Sequence, residues 1–459
     1  MPELDEQIRS LIDDGDPVGL AELTERRRQH RLESRVRLTI RFGTVAAVLV
    51  VLAILATVLS APGDQAPRSR QLRWHLAGFT GPTSLSVQGG AGSGTYELQC
   101  PTTTTCYAAE PVVVAQTAAP NGTVEVSTDA GRTWRSVLNA AGADLFGLTC
   151  PSEYTCAVTG EDFEQGSTTD TMYLTINGGR TWTTHLIPGG SQSSSLLSCQ
   201  SQAECIATTT GTAPSGHGEQ ATALVTNNGG RTWTSAAFPD SFVPFDVECH
   251  EILCVATGAK NPGGGPAIGQ GAEAYSSDDG STWHVSSQPT ADMVSGLWCA
   301  DAEHCMAHEQ TLLEPGTQRI VPSPLGDTII STSDGGATWT PIQGNEPQNW
   351  LISGIDCPNV LDCWITGESH QAGETMEQIA QNAGPSFVRF TTDGGQTWQS
   401  IPLPLVKGHP ITVIGSLSCP SISDCFALAD NPGPHTGPFP QEVVLSTEPS
   451  RLAGGDGTP

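Results

Sequence analysis

The octapeptide Ser127-Thr128-Asp129-Ala130-Gly131-Arg132-Thr133-Trp134 recurs along the chain with little change. Asn177 to Trp182, Asn228 to Trp233, Asp278 to Trp283, Asp334 to Trp339 and Asp393 to Trp398 repeat its second half, which gives six copies in all. Each copy has Asp or Asn five residues before Trp, Gly three before (Gly131, Gly179, Gly230, Gly280, Gly336, Gly395) and Thr one before. That spacing suits a tight turn, because an Asx side chain accepts backbone N–H bonds across it and Gly takes a positive φ. The indole that follows is a large apolar wedge, suited to packing between neighbouring sheets. Successive tryptophans are 48, 51, 50, 56 and 59 residues apart. A period of this size signals a propeller or a solenoid.

Cysteines run in phase with the turns: Cys100/Cys106, Cys150/Cys156, Cys199/Cys205, Cys249/Cys254, Cys299/Cys305, Cys357/Cys363 and Cys419/Cys425. Seven pairs imply seven units. Each first cysteine ends a short apolar segment and each second one begins another, so the two can face each other across a hairpin and form a local disulfide. Cys249/Cys254 is the one pair spaced five apart instead of six, and any strained or missing bridge belongs there. Thiolate metal sites are disfavoured, since no His or Cys recurs with the pairs to complete a tetrahedron. His304 and His308, beside Cys305, take a structural role on the same ground.

A unit thus has four strands: A ends at the first cysteine, B starts at the second, C runs into the turn motif and D starts at its tryptophan. Four antiparallel strands per unit is the pattern of a propeller blade. The seventh unit stops after Glu442-Val443-Val444-Leu445-Ser446-Thr447, a strand C with no turn motif behind it. Leu72-Arg73-Trp74-His75-Leu76 resembles the strand after the motif in blade one, and is expected to supply the missing strand D. Such a closure removes exposed sheet edges.

The sequence has 459 residues, and Gly43 to Ala61 is free of charge over nineteen of them. A helix of that length spans the hydrocarbon core of a bilayer. Arg26, Arg27, Arg28, Arg31, Arg35, Arg37 and Arg41 precede it against a single Glu33, which places the N-terminus in the cytoplasm. All fourteen cysteines follow the span, as expected of an exported, oxidised domain. The expected organisation is a short helical cytoplasmic segment (1–42), a single transmembrane helix (43–61), a linker (62–71), an all-β seven-bladed propeller (72–447) and a disordered tail (448–459). The net charge is −28, nearly all of it after the span, which disfavours nucleic acid and an anionic membrane face as partners of the large domain. Arginine outnumbers lysine eighteen to two, a usage that points to a GC-rich bacterial genome.

These motifs resemble the BNR or Asp-box repeat propellers, over roughly residues 72–447. The family includes sialidases, xyloglucan-cleaving glycosidases, sortilin-type receptors and propellers like the photosystem assembly factors. In it the box is a structural turn, so the resemblance implies a fold and leaves activity to the site. A sialidase-like site needs three arginines converging on a carboxylate. Apart from the box residues Arg132, Arg180 and Arg231, residues 80–447 offer only Arg135, Arg319 and Arg389. With 39 Asp and Glu after the span, a glycosidase pair cannot be singled out by spacing.

Recognition is expected on the face of the B–C loops, where length varies. From second Cys to Trp is 28, 26, 28 and 29 residues in blades one to four, but 34 and 35 in blades five and six. Those two loops carry Glu309, Glu314 and Arg319, and His370, Glu374, Glu377 and Gln378. The leading expectation is a non-catalytic binding or assembly module for a protein or glycan, with no cofactor and no metal. The alternative is a glycoside hydrolase of sialidase-like type.

Overall fold

A computed structural model of the chain describes residues 72–79, 97–110, 121–164, 167–189, 196–212, 219–239, 242–260, 270–286, 293–310, 327–342, 350–369, 386–406, 408–411, 413–429 and 443–447. The chain divides into Met1–Gln71 and Leu72–Pro459. The segment 1–42, the span 43–61, the linker 62–71 and the tail 448–459 all lie outside the described residues. Within the described residues no helix is long and apolar enough to cross a membrane.

The described residues of Leu72–Pro459 form an all-β, seven-bladed propeller of seven four-stranded antiparallel sheets. Blade one pairs Glu97–Gln99, Cys106–Glu110, Asn121–Ser127 and Arg135–Ala141 in that order. Blade four is built from Phe242–His250, Leu253–Lys260, Gln270–Ser276 and His284–Val285, and blade five from Met293–Cys299, Cys305–Gln310, Thr328–Thr332 and Thr340–Pro341. Blade six comprises Trp350–Asp356, Cys363–Ser369, Ser386–Thr391 and Gln399–Ile401. Each strand A touches the strands A of both neighbouring blades, so the seven form a closed inner ring.

Blade seven joins the two ends of the domain. His75–Phe79 pairs with Val443–Ser446, which continues to Asp424–Ala429 and Ile414–Ser421. Trp74 is 3% exposed and meets Trp364 of blade six edge to face, with ring centroids 5.6 Å apart. The six box tryptophans make the equivalent contact. Each shares a core cluster with the residue after the second cysteine of the preceding blade: Trp134 with Phe426, Trp182 with Tyr107, Trp233 with Ala157, Trp283 with Ile206, Trp339 with Val255 and Trp398 with Met306. The wedge therefore repeats seven times around the ring. These apolar junctions supply the non-directional attraction between blades.

The box turns share one hydrogen-bond pattern, except that the Asn177 and Asn228 amides donate to the Thr181 and Thr232 hydroxyls where the aspartates accept. In blade one the Ser127 hydroxyl accepts from the Gly131 N–H at 2.9 Å and donates to Asp129 Oδ1 at 2.9 Å. Asp129 in turn accepts from the Thr133 N–H at 2.9 Å and the Thr133 hydroxyl at 2.7 Å. Thr175, Thr226, Ser276, Thr332 and Thr391 hold the same place as Ser127 in the next five boxes. Gly131 has φ 77°, and a Cβ there would stand 2.8 Å from Val444 Cγ1, so conformation and space both demand glycine. In Trp134, Trp283 and Trp339 the indole N–H closes the turn on the box glycine carbonyl, at 3.0, 3.0 and 3.2 Å.

All seven cysteine pairs are bridged within their own blades, with Cα separations of 4.0–4.1 Å. Cys100 is joined to Cys106, Cys150 to Cys156, Cys199 to Cys205, Cys249 to Cys254, Cys299 to Cys305, Cys357 to Cys363 and Cys419 to Cys425. Every one of these cysteines is buried, Cys156, Cys205 and Cys254 among them, so the bridges are part of the core and offer no surface to a ligand. No bridge is missing among the seven, and blade four is bridged like the rest. Its shorter spacing is absorbed by the two-residue turn Glu251-Ile252, with Glu251 at φ 55°.

The rule that strand B starts at the second cysteine also needs correction. It holds at Cys106, Cys205, Cys305 and Cys363, but in blades two, four and seven the strand starts one residue earlier, ahead of Cys156, Cys254 and Cys425. The reason is that the hairpin ladder there continues past the bridge, through Ser152 with Thr155, His250 with Leu253 and Ser421 with Asp424. In six blades a box N–H also donates to the carbonyl of the cysteine turn beside it, as from Ala130 to Thr104, Gly178 to Tyr154 and Gly394 to Leu361, at 2.9 Å each. Disulfide turns and boxes thus occupy one face, and the B–C loops spring from the other.

Candidate functional site

The inner ring is where polar side chains of different blades meet. The residue immediately before the first cysteine reaches across to the next blade's first cysteine at six of the seven junctions. Thr149, Ser198, Glu248, Asp356 and Ser418 accept the backbone N–H of Cys199, Cys249, Cys299, Cys419 and Cys100, at 3.3, 3.4, 2.7, 2.8 and 2.9 Å. Trp298 reverses the polarity and donates its indole N–H to the Cys357 carbonyl at 2.8 Å. Between blades one and two the bond shifts two residues along the strand. Glu97 there accepts from Gly147 at 3.0 Å and also from Leu148. Asp246 likewise accepts from Gly296 of blade five at 2.9 Å.

Four of these groups are carboxylates, and they feel one another. Burial pushes Glu97 above its ordinary value, the N–H groups of Leu148 and Gly147 pull it back, and the charge of Asp246 pushes it up again. Asp246 and Glu248 are raised by burial against the hydrogen bonds they accept. Asp356 is raised by burial, with the Cys419 N–H opposing and the charge of Glu248 adding to the rise. A charge held in low dielectric near like charges favours its neutral form. What keeps the carboxylates inside is the row of backbone donors that each blade presents to its neighbour.

Blades four and five depart from the repeat. Three residues before the box hydroxyl the seven blades carry Val124, Met172, Ala223, Glu273, Ile329, Val388 and Val444. Glu273 is 1% exposed, and neither of its oxygens has a hydrogen-bond partner. Burial, and then the charge of Glu309 in blade five, push its carboxyl up to about 7. Three residues after the second cysteine the blades carry Ala109, Thr159, Thr208, Thr257, His308, Thr366 and Leu428. His308 is buried, with Nε2 3.4 Å from the Ser295 hydroxyl and Nδ1 3.3 Å from Asp327 Oδ2. The second contact falls short of hydrogen-bond geometry. Asp327 uses that same oxygen to accept from Gln310 at 3.1 Å and from the Ile352 N–H of blade six at 2.7 Å. Glu273, His308 and Asp327 are three of the six buried carboxyl or imidazole side chains among the described residues, and Asp246 and Glu309 of the same two blades are half-buried. No three His, Cys, Asp or Glu side chains form a metal-holding group among the described residues.

Of the residues singled out on the loop face, Glu309 is the last but one residue of strand B of blade five, where it pairs with Thr328 and acts on Glu273. Glu314, Arg319, His370, Glu374, Glu377 and Gln378 lie outside the described residues. Arg389 lies over the Trp350 ring, 3.9 Å from its centroid, with burial lowering its pKa. It belongs to a stack within blade six. Glu273 and the inter-blade bonding residues were not anticipated, and His308 was anticipated only as a structural histidine. Comparing blades column by column exposes them, because each stands where the other blades hold something else or where every blade holds a hydrogen-bonding side chain.

No protein-family model matches the sequence, and no curated protein matches it. Solved structures do. The structure described as YCF48 from Cyanidioschyzon merolae is 13% identical, with 82% of this chain and 98% of that chain covered and a TM-score of 0.48. A GH74 xyloglucanase from Xanthomonas campestris is 11% identical over 78% of this chain and 53% of that one, with a TM-score of 0.47. The alpha-L-arabinofuranosidase Arb93A from Fusarium graminearum is 12% identical over 82% and 98%, with a TM-score of 0.44. Likenesses of this size carry no argument about activity, and propellers host unrelated functions.

Proposed function

We propose that the chain is a membrane-anchored, extracytoplasmic binding or assembly module, which recognises a protein or a glycan through the face that carries the B–C loops. The observation that supports this most is the use made of the inner-ring carboxylates. Glu97, Asp246, Glu248 and Asp356 each hold a backbone N–H of another blade, so their chemistry is committed to the scaffold. The long loops of blades five and six depart from the repeat in length, and they carry the recognition. Replacing 311–326 and 370–385 by short turns should abolish ligand capture from native envelope while leaving the melting temperature within about 2 °C, the scale of surface substitutions. Capture that survives both replacements overturns the loop-face reading.

One observation favours glycoside hydrolysis as a second reading. Glu273, pushed up to about 7, and Glu309, whose charge acts on it, are a carboxyl pair of unequal environment, which is what acid and base partners require. A panel of chromogenic glycosides decides between the two. Turnover by the wild type that is lost in Glu273→Gln, with the fold intact, would replace the binding module by an enzyme.

A further inference from the structure

Boxes two and three differ from the other four in their chemistry. They hold Asn177 and Asn228 where the others hold Asp129, Asp278, Asp334 and Asp393, and a glycine follows each asparagine. An Asn-Gly pair is the dipeptide most prone to deamidation, because the glycine nitrogen attacks the side-chain amide and no Cβ stands in its way. The third such pair of the chain, Asn121-Gly122, opens strand C of blade one.

In the folded boxes both reacting groups are held. Gly178 donates its N–H to the Tyr154 carbonyl and Gly229 to the Ala203 carbonyl, at 2.9 Å each. Asn177 Oδ1 accepts from the Thr175 hydroxyl at 3.1 Å and the Thr181 N–H at 3.0 Å, while Nδ2 donates to the Thr181 hydroxyl at 2.7 Å. Asn228 makes the same three bonds, with Thr226 and Thr232, at 3.0, 3.0 and 2.7 Å. Cyclisation needs the nitrogen freed from its carbonyl and the amide turned away from its threonines. Neither occurs while the turn stands.

The two carbonyls that hold the nitrogens belong to disulfide turns. Tyr154 lies between the bridged Cys150 and Cys156, and Ala203 between the bridged Cys199 and Cys205. Each bridge restricts the conformations its turn can reach once the ladder breaks, and so keeps the acceptor in place.

We propose that Asn177 and Asn228 are deamidation sites latched by the disulfide turns of their own blades, so that a box reacts when its turn opens and is preserved while the bridge holds it. In the open box the Gly178 nitrogen gives its proton to solvent and bonds to Asn177 Cγ. The Cγ–Nδ2 bond breaks, and the amide group takes up a proton from water and leaves as ammonia. Water then opens the cyclic imide at either carbonyl, to aspartate or to isoaspartate. Aspartate refits the box, since Asp129, Asp278, Asp334 and Asp393 accept both the N–H and the hydroxyl of the threonine four residues on. Isoaspartate routes the main chain through the side-chain carbon. That inserts one atom ahead of Gly178 and displaces the Gly179 N–H from the Thr175 hydroxyl it meets at 3.0 Å.

Peptide mapping of the full chain, incubated in mildly alkaline buffer, tests the latch. Both asparagines should deamidate about a hundredfold more slowly in the native, oxidised chain than after reduction and unfolding, because only the open fraction reacts. Cys150→Ala with Cys156→Ala should speed Asn177 about tenfold and leave Asn228 at its wild-type rate. Cys199→Ala with Cys205→Ala should do the reverse. If a bridge variant loses its fold, both sites accelerate together, and hydrogen exchange of Gly178 and Gly229 in the wild-type chain then decides. Amides as protected as those of the adjoining strands support the latch, and amides that exchange at the unfolded rate overturn it. Native deamidation as fast as in the unfolded chain also overturns it, as does a folded bridge variant whose own asparagine reacts no faster. Asn177→Asp with Asn228→Asp should melt within about 2 °C of wild type. A larger fall would show that aspartate does not refit the box.

Discussion

The two faces of this propeller obey different rules. On the box face the hydroxyl-to-glycine bond recurs six times, each blade is cross-linked by its own disulfide, and the turns differ by no more than one residue. On the loop face the connections vary, and the buried column beneath them breaks its pattern at Glu273 and His308. Repetition on one face fixes the spacing of the blades, which lets the other vary without loss of the ring. The difference teaches that conformity to the repeat marks the parts that hold blades together, and departure marks the parts to examine for ligand binding.

The comparison breaks most severely if the ring itself is opened. Trp74→Ala should cost about 3–5 kcal/mol, as for other buried tryptophans, and deletion of 70–80 should cost more, because it also bares the edge of Val443–Ser446. Thermal unfolding checks both. A deletion variant that melts with the intact domain would show that blade seven is a cap and not a blade.

Next in size is Glu273. A carboxyl raised from about 4.5 to about 7 binds its proton more tightly in the folded state, so its effect on stability is harmless at low pH and grows more unfavourable as pH rises through that window. Glu273→Met, which installs the residue type of blade two, should stabilise the domain by on the order of 3 kcal/mol at pH 8, with the gain vanishing toward pH 4.5. Urea unfolding at several pH values gives the slope. A gain that is flat with pH would mean that packing, and not the proton, sets the cost.

Smaller still is the loss of one box hydroxyl. Thr391→Val leaves the Gly395 N–H without the acceptor it has at 2.9 Å, and should cost about 1–2 kcal/mol. The matching change on the loop face, shortening 311–326, should cost less than about 0.5 kcal/mol. Equal costs on the two faces would erase the distinction between them.

Why the architecture was legible in the sequence is clear from the residues that carry it. Asx, Gly, Thr and Trp at fixed spacing each answer a geometric need of one turn, and the cysteines mark where strands A and B meet. Even the closing strand was legible, since Trp74-His75-Leu76 resembles the strand that follows each box. The inter-blade bonds were not, because Thr149, Ser198, Glu248, Trp298, Asp356 and Ser418 share a function and not a residue type. A hydroxyl, a carboxylate and an indole all reach the next backbone. Glu273 stayed hidden among 39 carboxylates until the blades were superposed and its neighbours in the column proved aliphatic. Loop length located variation on the outer face and carried no information about its chemistry.

The pairing of His75–Phe79 with Val443–Ser446 has a consequence for the order of events during synthesis. Each disulfide joins cysteines five or six residues apart, so oxidation can follow each hairpin as it emerges. The closing pair joins segments more than 360 residues apart, and the first strand of the domain to leave the ribosome must wait for the last. Contacts of such separation form slowly. Until then the nascent blades present an open edge at both ends, and the interval between the seventh bridge and ring closure is the period in which this protein is most exposed to misassembly with other copies of itself.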